Sequence, residues 1–395
     1  MSTTQYGPAT VERAMKVHEV LLKAMSGEIN WLQAADILEL HPRSLRRWRV
    51  RLEKFGAGGL LDQRRARPSV RRVPASEVER IVRLYREKYW DFNVRHYYAV
   101  LRREHGVTQS YSFVKQALQA AKLVAKRKPR GKHRLRREPR ACFGEMLHLD
   151  GSVHAWLPLC PKERQTVLAV VDDATGQLLY AQLHDAESTE TVMTALRDVF
   201  VRYGLPQALY TDRAGWAAHT PKAGGPVDKS QLTQVGRALK RLGVEHILAY
   251  SPQARGRGER PNRTLQDRLV KELRVAGARS VAVANRYLRE TFVPNYNAEC
   301  PRPPKDPASG FVPVGQVDLD GSLCRLEERV VGQDNTVALD GVRLQIAKQP
   351  GRPTCVGLRV IVRRQLDGQH TVTWGTREIG RYDARGRPLV AAKAA

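Results

Sequence analysis

Acidic and aromatic residues are scarce in this sequence. Its 395 residues include 67 Lys and Arg against 40 Asp and Glu, which gives a formal net charge of +27, and aromatic residues make up 7%. Self-repulsion of that size is unfavourable unless a polyanion is the usual partner, so a nucleic acid is the first candidate and an anionic membrane surface the second. Hydrophobic residues still reach 42%, which excludes a disordered chain and predicts packed domains.

Long apolar runs and closely spaced cysteines are also missing. No segment approaches the roughly 20 apolar residues that span a bilayer, and the first residues contain no apolar signal core, so we expect a cytoplasmic protein without a membrane partner. The five cysteines are scattered without CxxC spacing, which favours reduced thiols over a disulfide framework or a zinc site. The chain length predicts two to four domains.

A helix-turn-helix pattern occupies residues 1–60. A short helix from Trp31 is followed by the turn "ELHP" and a basic helix that begins near Pro42. Leu45 and Trp48 lie three residues apart on the apolar face of the second helix, which is the helix expected to enter a major groove. A small helical bundle with a solvated basic face is the alternative. The arginines predicted to contact DNA from this helix are Arg43, Arg46, Arg47 and Arg49.

A second helical DNA-binding domain is predicted over residues 75–125, and a plain helical spacer is an equally good interpretation. Residues 126–144 form a basic linker. Between Ala121 and Arg140, ten of twenty residues are Lys or Arg, so this segment cannot bury itself and is expected to be extended. A solvated tether needs no such charge density, whereas a segment that follows a phosphate backbone does. The linker residues predicted to contact DNA are Arg127, Lys128 and Arg130.

The pattern changes to alternating strands and helices over residues 145–300. Its order, β-β-β-α-β-α-β-α, predicts a mixed sheet with helices on its faces. Residues 315–385 are strand-like, with "LDG" turns at Leu339 and Leu366, and predict a small β-barrel. The expected fold is therefore multidomain: N-terminal all-α helix-turn-helix units, a central α/β core and a C-terminal small β-barrel.

Three acidic residues in the core point to metal-assisted phosphoryl transfer. Asp150 ends the first strand and Asp212 the fourth, so both would emerge at one sheet edge if these strands are parallel neighbours; Glu259 begins a helix after the fifth strand. Mg²⁺ prefers such oxygen ligands. Two ions about 3.5–4 Å apart would stabilise the attacking and leaving oxygens of an in-line displacement. The cofactor expected here is Mg²⁺, with two ions per site, and Mn²⁺ is the alternative.

Glu259 lies among arginines, which a loop that binds both a cation and a polyanion would explain. Gly256 and Gly258 let this loop bend, and Pro261 suits the first helical turn. A surface ion pair between Glu259 and a neighbouring arginine is the alternative. The neighbouring arginines predicted to contact DNA are Arg255, Arg257, Arg260 and Arg263.

Other acidic and histidine residues have structural interpretations. Asp172 and Asp173 lie in a hairpin turn, where Asp commonly binds backbone N–H groups. Asp185 and Glu187 precede a helix start, where N-terminal capping explains them. His148 and His154, on either side of Asp150, are predicted to be packed histidines.

The motifs "LHLDGSVHAW", "VVDDATG", "ALYTD" and "SPQARGRGERPNRTLQDRLVKELR" resemble the DDE transposases with a retroviral-integrase-type core, close to bacterial insertion-sequence transposases of the ISNCY kind. The resemblance covers most of residues 145–300. It implies an RNase H-like core, a catalytic triad of Asp150, Asp212 and Glu259, N-terminal domains that bind the ends of the element, a C-terminal β-barrel, and a nucleoid-associated bacterial protein that forms homo-oligomers on double-stranded DNA.

Two departures from that family are visible. Forty-six residues separate Asp212 from Glu259, which is a longer gap than in integrases, and "AGWAAHTPKAGGPVDKS" is the insertion. No His/Cys zinc module precedes the core, which argues against a retroviral integrase itself. The sequence therefore predicts a metal-dependent DNA strand transferase that cuts element ends and joins them to target DNA. The alternatives are a catalytically silent DNA-binding regulator and a nuclease that only hydrolyses DNA.

Overall fold

The computed structural model describes most of the chain: residues 6–61, 72–126, 138–160, 164–221, 225, 227–228, 230–249 and 259–389, with only the backbone at 259 and 260. The chain divides into two compact units, Met1–Arg83 and Leu84–Ala395. Among the described residues no helix is both long and apolar enough to cross a lipid bilayer.

The first unit is a helix-turn-helix arrangement with its own core. Its helices are α1 (Pro8–Met25), α2 (Trp31–Ile37) and α3 (Pro42–Phe55), followed by a 3₁₀ turn (Ala57–Leu60). Asn30 caps α2 in a capping box with Gln33, and Pro42 occupies the first turn of α3. Leu45 is fully buried and Trp48 packs at the edge of the core, so the predicted apolar face of α3 is confirmed.

Three further helices follow, and the first of them spans the boundary between the units. They are α4 (Ala75–Glu87), α5 (Val94–His105) and α6 (Tyr111–Ala120). Asn93 and Ser110 cap α5 and α6 through their side chains. Gly106 ends α5 in the left-handed conformation, with φ 62°, that favours glycine.

The second unit contains a five-stranded mixed sheet in the order β4-β3-β2-β5-β6. Strands β2 and β3 and strands β3 and β4 pair antiparallel, whereas β2 with β5 and β5 with β6 pair parallel. The strands are β1 (Cys142–Phe143), β2 (Met146–His154), β3 (Gln165–Asp172), β4 (Leu178–His184), β5 (Ala208–Thr211) and β6 (Glu245–Leu248).

Helices cover both faces of this sheet. The helices are α7 (Thr189–Tyr203), α8 (Gln234–Arg241), α9 (Glu259–Val275), α10 (Val281–Tyr287) and α11 (Val293–Glu299), the last two joined by one π-helical turn (Leu288–Phe292). The helices α7 and α8 share one apolar core with one face of the sheet, and α9 to α11 share a second core with the other. The predicted β-β-β-α-β-α-β-α order is therefore confirmed, and it agrees with the RNase H-like core that the resemblance implies.

The prediction of a C-terminal small β-barrel is wrong for the described residues. After β7 (Asp306–Ser309), which pairs with β1, and the short helix α12 (Leu319–Ser322), the strands form an open four-stranded sheet and a separate hairpin. Asp340 and Gly341 both have positive φ and make the tight hairpin turn, as predicted. The hairpin contributes side chains to the core of the sheet but pairs only with itself, so no ring of strands closes. These strands are β8 (Arg325–Val330), β9 (Thr336–Leu339), β10 (Val342–Gln345), β11 (Arg359–Arg364), β12 (His370–Trp374) and β13 (Arg377–Tyr382).

Candidate active site and DNA-binding surfaces

Two of the predicted carboxylates belong to neighbouring parallel strands. Asp150 lies in β2, and Asp212 directly follows β5. The pairing sets Met146 beside Ala208 and His148 beside Tyr210, so the same register continued by two residues would put Asp150 beside Asp212. Neighbouring strands lie about 4.8 Å apart and in-register side chains point to the same face. The condition set in the sequence analysis, parallel pairing of the first and fourth core strands, is therefore met, and the continued register would bring the two aspartates together.

The face that carries Asp150 is the one covered by α9. Asp150 is paired with Ala169 of β3, and Ala169 belongs to the core that contains the leucines of α9. These leucines are fully buried. They are Leu265, Leu269 and Leu273.

Helix α9 is aligned on β2 by two hydrogen bonds. Asn262 Nδ2 donates to Asp150 Oδ2 at 2.6 Å, and Gln266 Nε2 donates to Ser152 Oγ at 2.9 Å. Four helical residues rise about 6 Å and two strand residues about 6.6 Å, so α9 runs in the same direction as β2 with matching spacing. Glu259 is the first residue of α9, three positions before Asn262 and on the same helical face. The side chain of Glu259 lies outside the described part of the chain.

Neighbouring residues in the chain form hydrogen bonds with Asp212. The N–H of Ala214 donates to Asp212 Oδ1 at 3.0 Å, and Thr211 Oγ1 donates to the Asp212 carbonyl at 2.9 Å. The same hydroxyl lies 2.9 Å from His246 Nε2 of β6. Burial disfavours the charged imidazole and lowers the pKa of His246 to about 4, so this ring is neutral at pH 7.

The hairpin aspartates have structural partners. Asp172 accepts hydrogen bonds from the backbone N–H groups of Gly144 and Thr175, and burial raises the pKa of this carboxyl. Asp173 accepts from the Arg140 N–H at 2.7 Å and lies 2.8 Å from His148 Nε2. Both aspartates therefore hold the β3–β4 turn against the segment that enters the sheet, and His148 is a buried, packed histidine.

The arginines of α3 lie on an exposed helix face: Arg43, Arg46, Arg47 and Arg49. Arg49 also pairs with Glu53 at 2.7 Å and lies over the Trp31 ring at 5.5 Å, so its guanidinium has partners within the unit. Arg263 of α9 is exposed as well. The remaining residues predicted to contact DNA lie outside the described side chains: Arg127, Lys128, Arg130, Arg255, Arg257 and Arg260.

Two residues near the aspartates were not predicted: Asn262, which contacts Asp150, and His246, which contacts Thr211. Asn262 follows Glu259 by three positions in "ERPN", and that helical spacing was a signal available in the sequence. His246 reaches Thr211 only because β5 and β6 pair, so no local pattern identifies it. Among the described side chains no group of three or more His, Cys, Asp or Glu is arranged to hold a metal ion.

Parts of this chain are similar to known proteins. The helix-turn-helix domain family matches residues 19–69. The structure of the simian T-cell lymphotropic virus intasome with the PP2A regulatory subunit B56 gamma aligns with a TM-score of 0.30 and 14% identity, over 72% of this chain and 93% of that chain. The HTLV-2 integrase catalytic core domain in complex with magnesium aligns with a TM-score of 0.27 and 17% identity, over 37% of this chain and 82% of that chain. Scores this low add nothing to the topology described above.

Sequence relatives are more informative. "Transposase for insertion sequence IS1202" of Streptococcus pneumoniae is 25% identical over 368 residues, which is 84% of this chain and 78% of that protein. "Putative transposase y4bF" of Sinorhizobium fredii (strain NBRC 101917 / NGR234) is 32% identical over 373 residues, covering 93% of this chain and 80% of that protein. With that identity over nearly its whole length, a helix-turn-helix unit and a core that places two aspartates on adjacent parallel strands, the chain belongs to the transposase family.

Proposed function

We propose that this transposase cleaves DNA at the ends of its element and joins the freed ends to target DNA, with Asp150, Asp212 and Glu259 as the catalytic carboxylates. One observation carries the proposal: the parallel register of β2 and β5, which, continued by two residues, would put Asp150 beside Asp212 on the face covered by α9. Asn262 joins the start of that helix to Asp150, and the backbone of Glu259 lies on the first turn of the same helix.

The donor chemistry of the site fits Mg²⁺. Carboxylate oxygens are hard ligands, and the imidazoles nearest the aspartates are engaged elsewhere, His148 with Asp173 and His246 with Thr211. Two bound ions would neutralise charge on the attacking and leaving oxygens of an in-line displacement. Mn²⁺ accepts the same oxygen ligands and is expected to substitute.

The roles of the chain's own residues follow from the geometry. The three carboxylates would act at the scissile phosphate, where a water oxygen displaces the 3′ bridging oxygen and leaves a free 3′-hydroxyl. That hydroxyl then attacks a target phosphodiester at the same carboxylates and displaces a second 3′ oxygen. Asn262 holds the Asp150 carboxylate in place, and Arg263, exposed on the next position of α9, is suited to a DNA phosphate.

The basic helical segments supply the DNA contacts in this proposal. Residues 1–60 bind the element ends through the exposed arginines of α3, residues 75–125 form a second helical DNA-binding domain, and residues 126–144 follow the phosphate backbone. Residues 145–300 carry the chemistry. Since two ends must be held together for joining, the active species is a homo-oligomer assembled on double-stranded DNA.

The substitution Asp212→Asn tests the assignment. It removes one carboxylate charge but keeps an oxygen that can accept the Ala214 N–H, so we expect end binding to persist while Mg²⁺-dependent cleavage and joining fall by at least about 10³-fold. Asp228→Asn is the matched control because Asp228 lies in the inserted segment that follows Asp212 and accepts hydrogen bonds from Ser230.

Cleavage and joining by Asp212→Asn at the wild-type rate would remove Asp212 from the site. Wild-type protein that binds ends but neither cuts nor joins them with Mg²⁺ would support the silent regulator. Cleavage without a joined product would support a nuclease.

A further inference from the structure

A carboxylate lies directly behind the strand that carries Asp150. Glu187, in the connection between β4 and α7, packs against Gly151, the residue that follows Asp150. A Cβ on residue 151 would lie 2.4 Å from Glu187 Oε2 and 2.7 Å from Glu187 Cδ, so a larger residue there would displace this carboxylate from its place. Gly151 is paired with Leu168, which belongs to the core shared with α7 and α8. Glu187 therefore occupies the face of the sheet opposite the Asp150 side chain.

The partner of Glu187 comes from the segment that follows Asp212. Trp216 Nε1 donates to Glu187 Oε1 at 2.7 Å, and Trp216 is only 9% exposed. A hydrogen bond to an ionised acceptor is stronger than one between neutral groups. Loss of this acceptor would leave a nearly buried indole N–H unpaired, which is unfavourable.

The Trp216 side chain fixes a compact turn that begins at Asp212. The Asp212 carboxylate accepts the Ala214 N–H, and the N–H groups of Ala217 and Ala218 donate to the Ala214 carbonyl at 2.8 and 3.0 Å. Ala214 therefore links the Asp212 carboxylate to the turn that contains Trp216. The orientation of Asp212 depends on where that turn is held.

Helix capping does not account for Glu187. Ser188 is the N-cap of α7, and its side chain and that of Thr191 form a capping box that satisfies the first turn. The Glu187 carboxylate instead turns back to the sheet and Trp216.

We propose that Glu187 is a positioning residue for Asp212, acting through Trp216, and that Gly151 is required because it admits the Glu187 carboxylate. This inference rests on the proposed catalytic role of Asp212. It predicts that the bond to Trp216, and not the negative charge as such, sets the geometry of the carboxylate pair. Misplacement of a reacting group by about 1 Å can cost roughly 10²-fold in rate, so a loosened turn is expected to slow the chemistry.

Three variants separate the bond from the charge. Trp216→Phe replaces the indole with a smaller aromatic ring that lacks the Nε1–H donor. Glu187→Ala deletes the acceptor, and Glu187→Gln keeps an Oε1 acceptor without the charge. Asp185→Ala is the matched control, since Asp185 is an exposed carboxylate in the same connection.

The first measurement is backbone amide hydrogen exchange over residues 213–218 in the full chain without DNA or metal. We expect about tenfold faster exchange in Trp216→Phe and Glu187→Ala, corresponding to a hydrogen bond of ordinary net strength. Glu187→Gln is expected within about threefold of wild type, because a neutral acceptor is weaker than a charged one. Asp185→Ala is expected to match wild type.

The second measurement is single-turnover cleavage, with saturating Mg²⁺, of a duplex that carries an end of the element. We expect Trp216→Phe and Glu187→Ala to cleave at least about tenfold more slowly with unchanged duplex binding, and Glu187→Gln to recover most of the rate. Wild-type exchange in Trp216→Phe would overturn the proposal, and so would faster exchange with wild-type cleavage or faster exchange throughout the core. Asp212→Asn is assayed alongside: if it cleaves normally, the catalytic assignment fails, whereas the exchange result still reports on the bond.

Discussion

At the scale of single residues, the candidate site depends on hydrogen bonds that orient carboxylates more than on the acidic residues alone. Asp150 is contacted by Asn262 from α9, and Asp212 by the N–H of Ala214. Each contact constrains a side chain that would otherwise choose among several rotamers. Substitutions of the residues that donate these hydrogen bonds can therefore change the orientation of a carboxylate without removing it.

Asn262 is the first such partner. Asn262→Ala removes the donor to Asp150 Oδ2, and we expect cleavage to fall about 10- to 100-fold with end binding retained. Asn262→Asp places a like charge beside Asp150 and is expected to be worse. Gln266→Ala, one turn further along α9, loses only the contact with Ser152 and is the matched control. Equal losses in Asn262→Ala and Gln266→Ala would contradict a specific role for the Asp150 contact.

His246 predicts a dependence of stability on pH. Its pKa falls from 6.5 in the unfolded chain to about 4 in the folded one because of burial. Between those values the unfolded chain binds more protons, so the stability that this residue contributes is present above pH 6.5 and is lost as the pH falls towards 4. His246→Asn lacks this titration. The difference in unfolding free energy between wild type and His246→Asn should therefore narrow from pH 7 to pH 4.5 in denaturant titrations, and a constant difference would contradict the assignment.

At the scale of elements, helices present one face to a core and another to the proposed partner. In α9 the leucines face the second sheet core while Asn262 and Gln266 contact β2. In α3 Leu45 is buried and the arginines remain exposed on the other face. In both helices the apolar residues recur at the helical spacing of 3.6 residues per turn, so the sequence alone separates the buried face from the opposite one.

The exposed face of α3 predicts a measurable salt dependence. Arg46→Ala is expected to weaken binding to element ends and, for one lost phosphate contact, to lower the slope of log affinity against log salt concentration by about 0.9. Lys16→Ala is the control, because Lys16 is an exposed cation on α1 of the same unit. Binding measured by fluorescence anisotropy at several salt concentrations distinguishes the two variants. If Arg46→Ala and Lys16→Ala changed the affinity and its salt dependence equally, a specific DNA contact by α3 would be contradicted.

At the scale of the whole molecule, the second compact unit joins the helical segment to the catalytic sheet. Glu272 of α9 lies 2.6 Å from His96 Nε2 of α5 and accepts a hydrogen bond from Tyr287 of α10 at 2.7 Å. His96 and Glu272 are buried. At the edge of this contact, Arg274 of α9 pairs with Asp91 at 2.7 Å. These contacts join α5 to the helix that begins at Glu259.

Loss of the buried contact between His96 and Glu272 should lower the free energy of unfolding. Glu272→Ala leaves His96 and Tyr287 without their acceptor, and we expect the free energy of unfolding to fall by about 3–5 kcal/mol. Glu299→Ala is the control: Glu299 also bridges α5 and α9, through Arg103 and Arg268, but at a partly exposed position where about 0–1 kcal/mol is expected. Chemical denaturation of the full chain measures both. A loss for Glu272→Ala no larger than that for Glu299→Ala would contradict the coupling.

Much of the architecture could be predicted because it depends on sequence patterns within a few neighbouring residues. The helix-turn-helix unit, the order of strands and helices in the core, and the hairpin turn at Asp340 and Gly341 follow from periodicity and turn chemistry within a few residues. The prediction of a C-terminal β-barrel was wrong because closure depends on which strands pair at the edges. That pairing lies between residues far apart in the sequence, and the hairpin of β9 and β10 pairs only with itself.

By itself the sequence determined which residues could do the chemistry: acidic side chains in or after core strands and at a helix start, within an unusually basic chain. Only the tertiary structure decided which elements meet. Strand β2 pairs with β5 in a register that would put Asp150 beside Asp212, Asn262 joins α9 to Asp150, and the absence of a side chain at Gly151 leaves room for Glu187. These are contacts between residues separated by tens of positions, set by strand pairing and packing, and no local pattern encodes them.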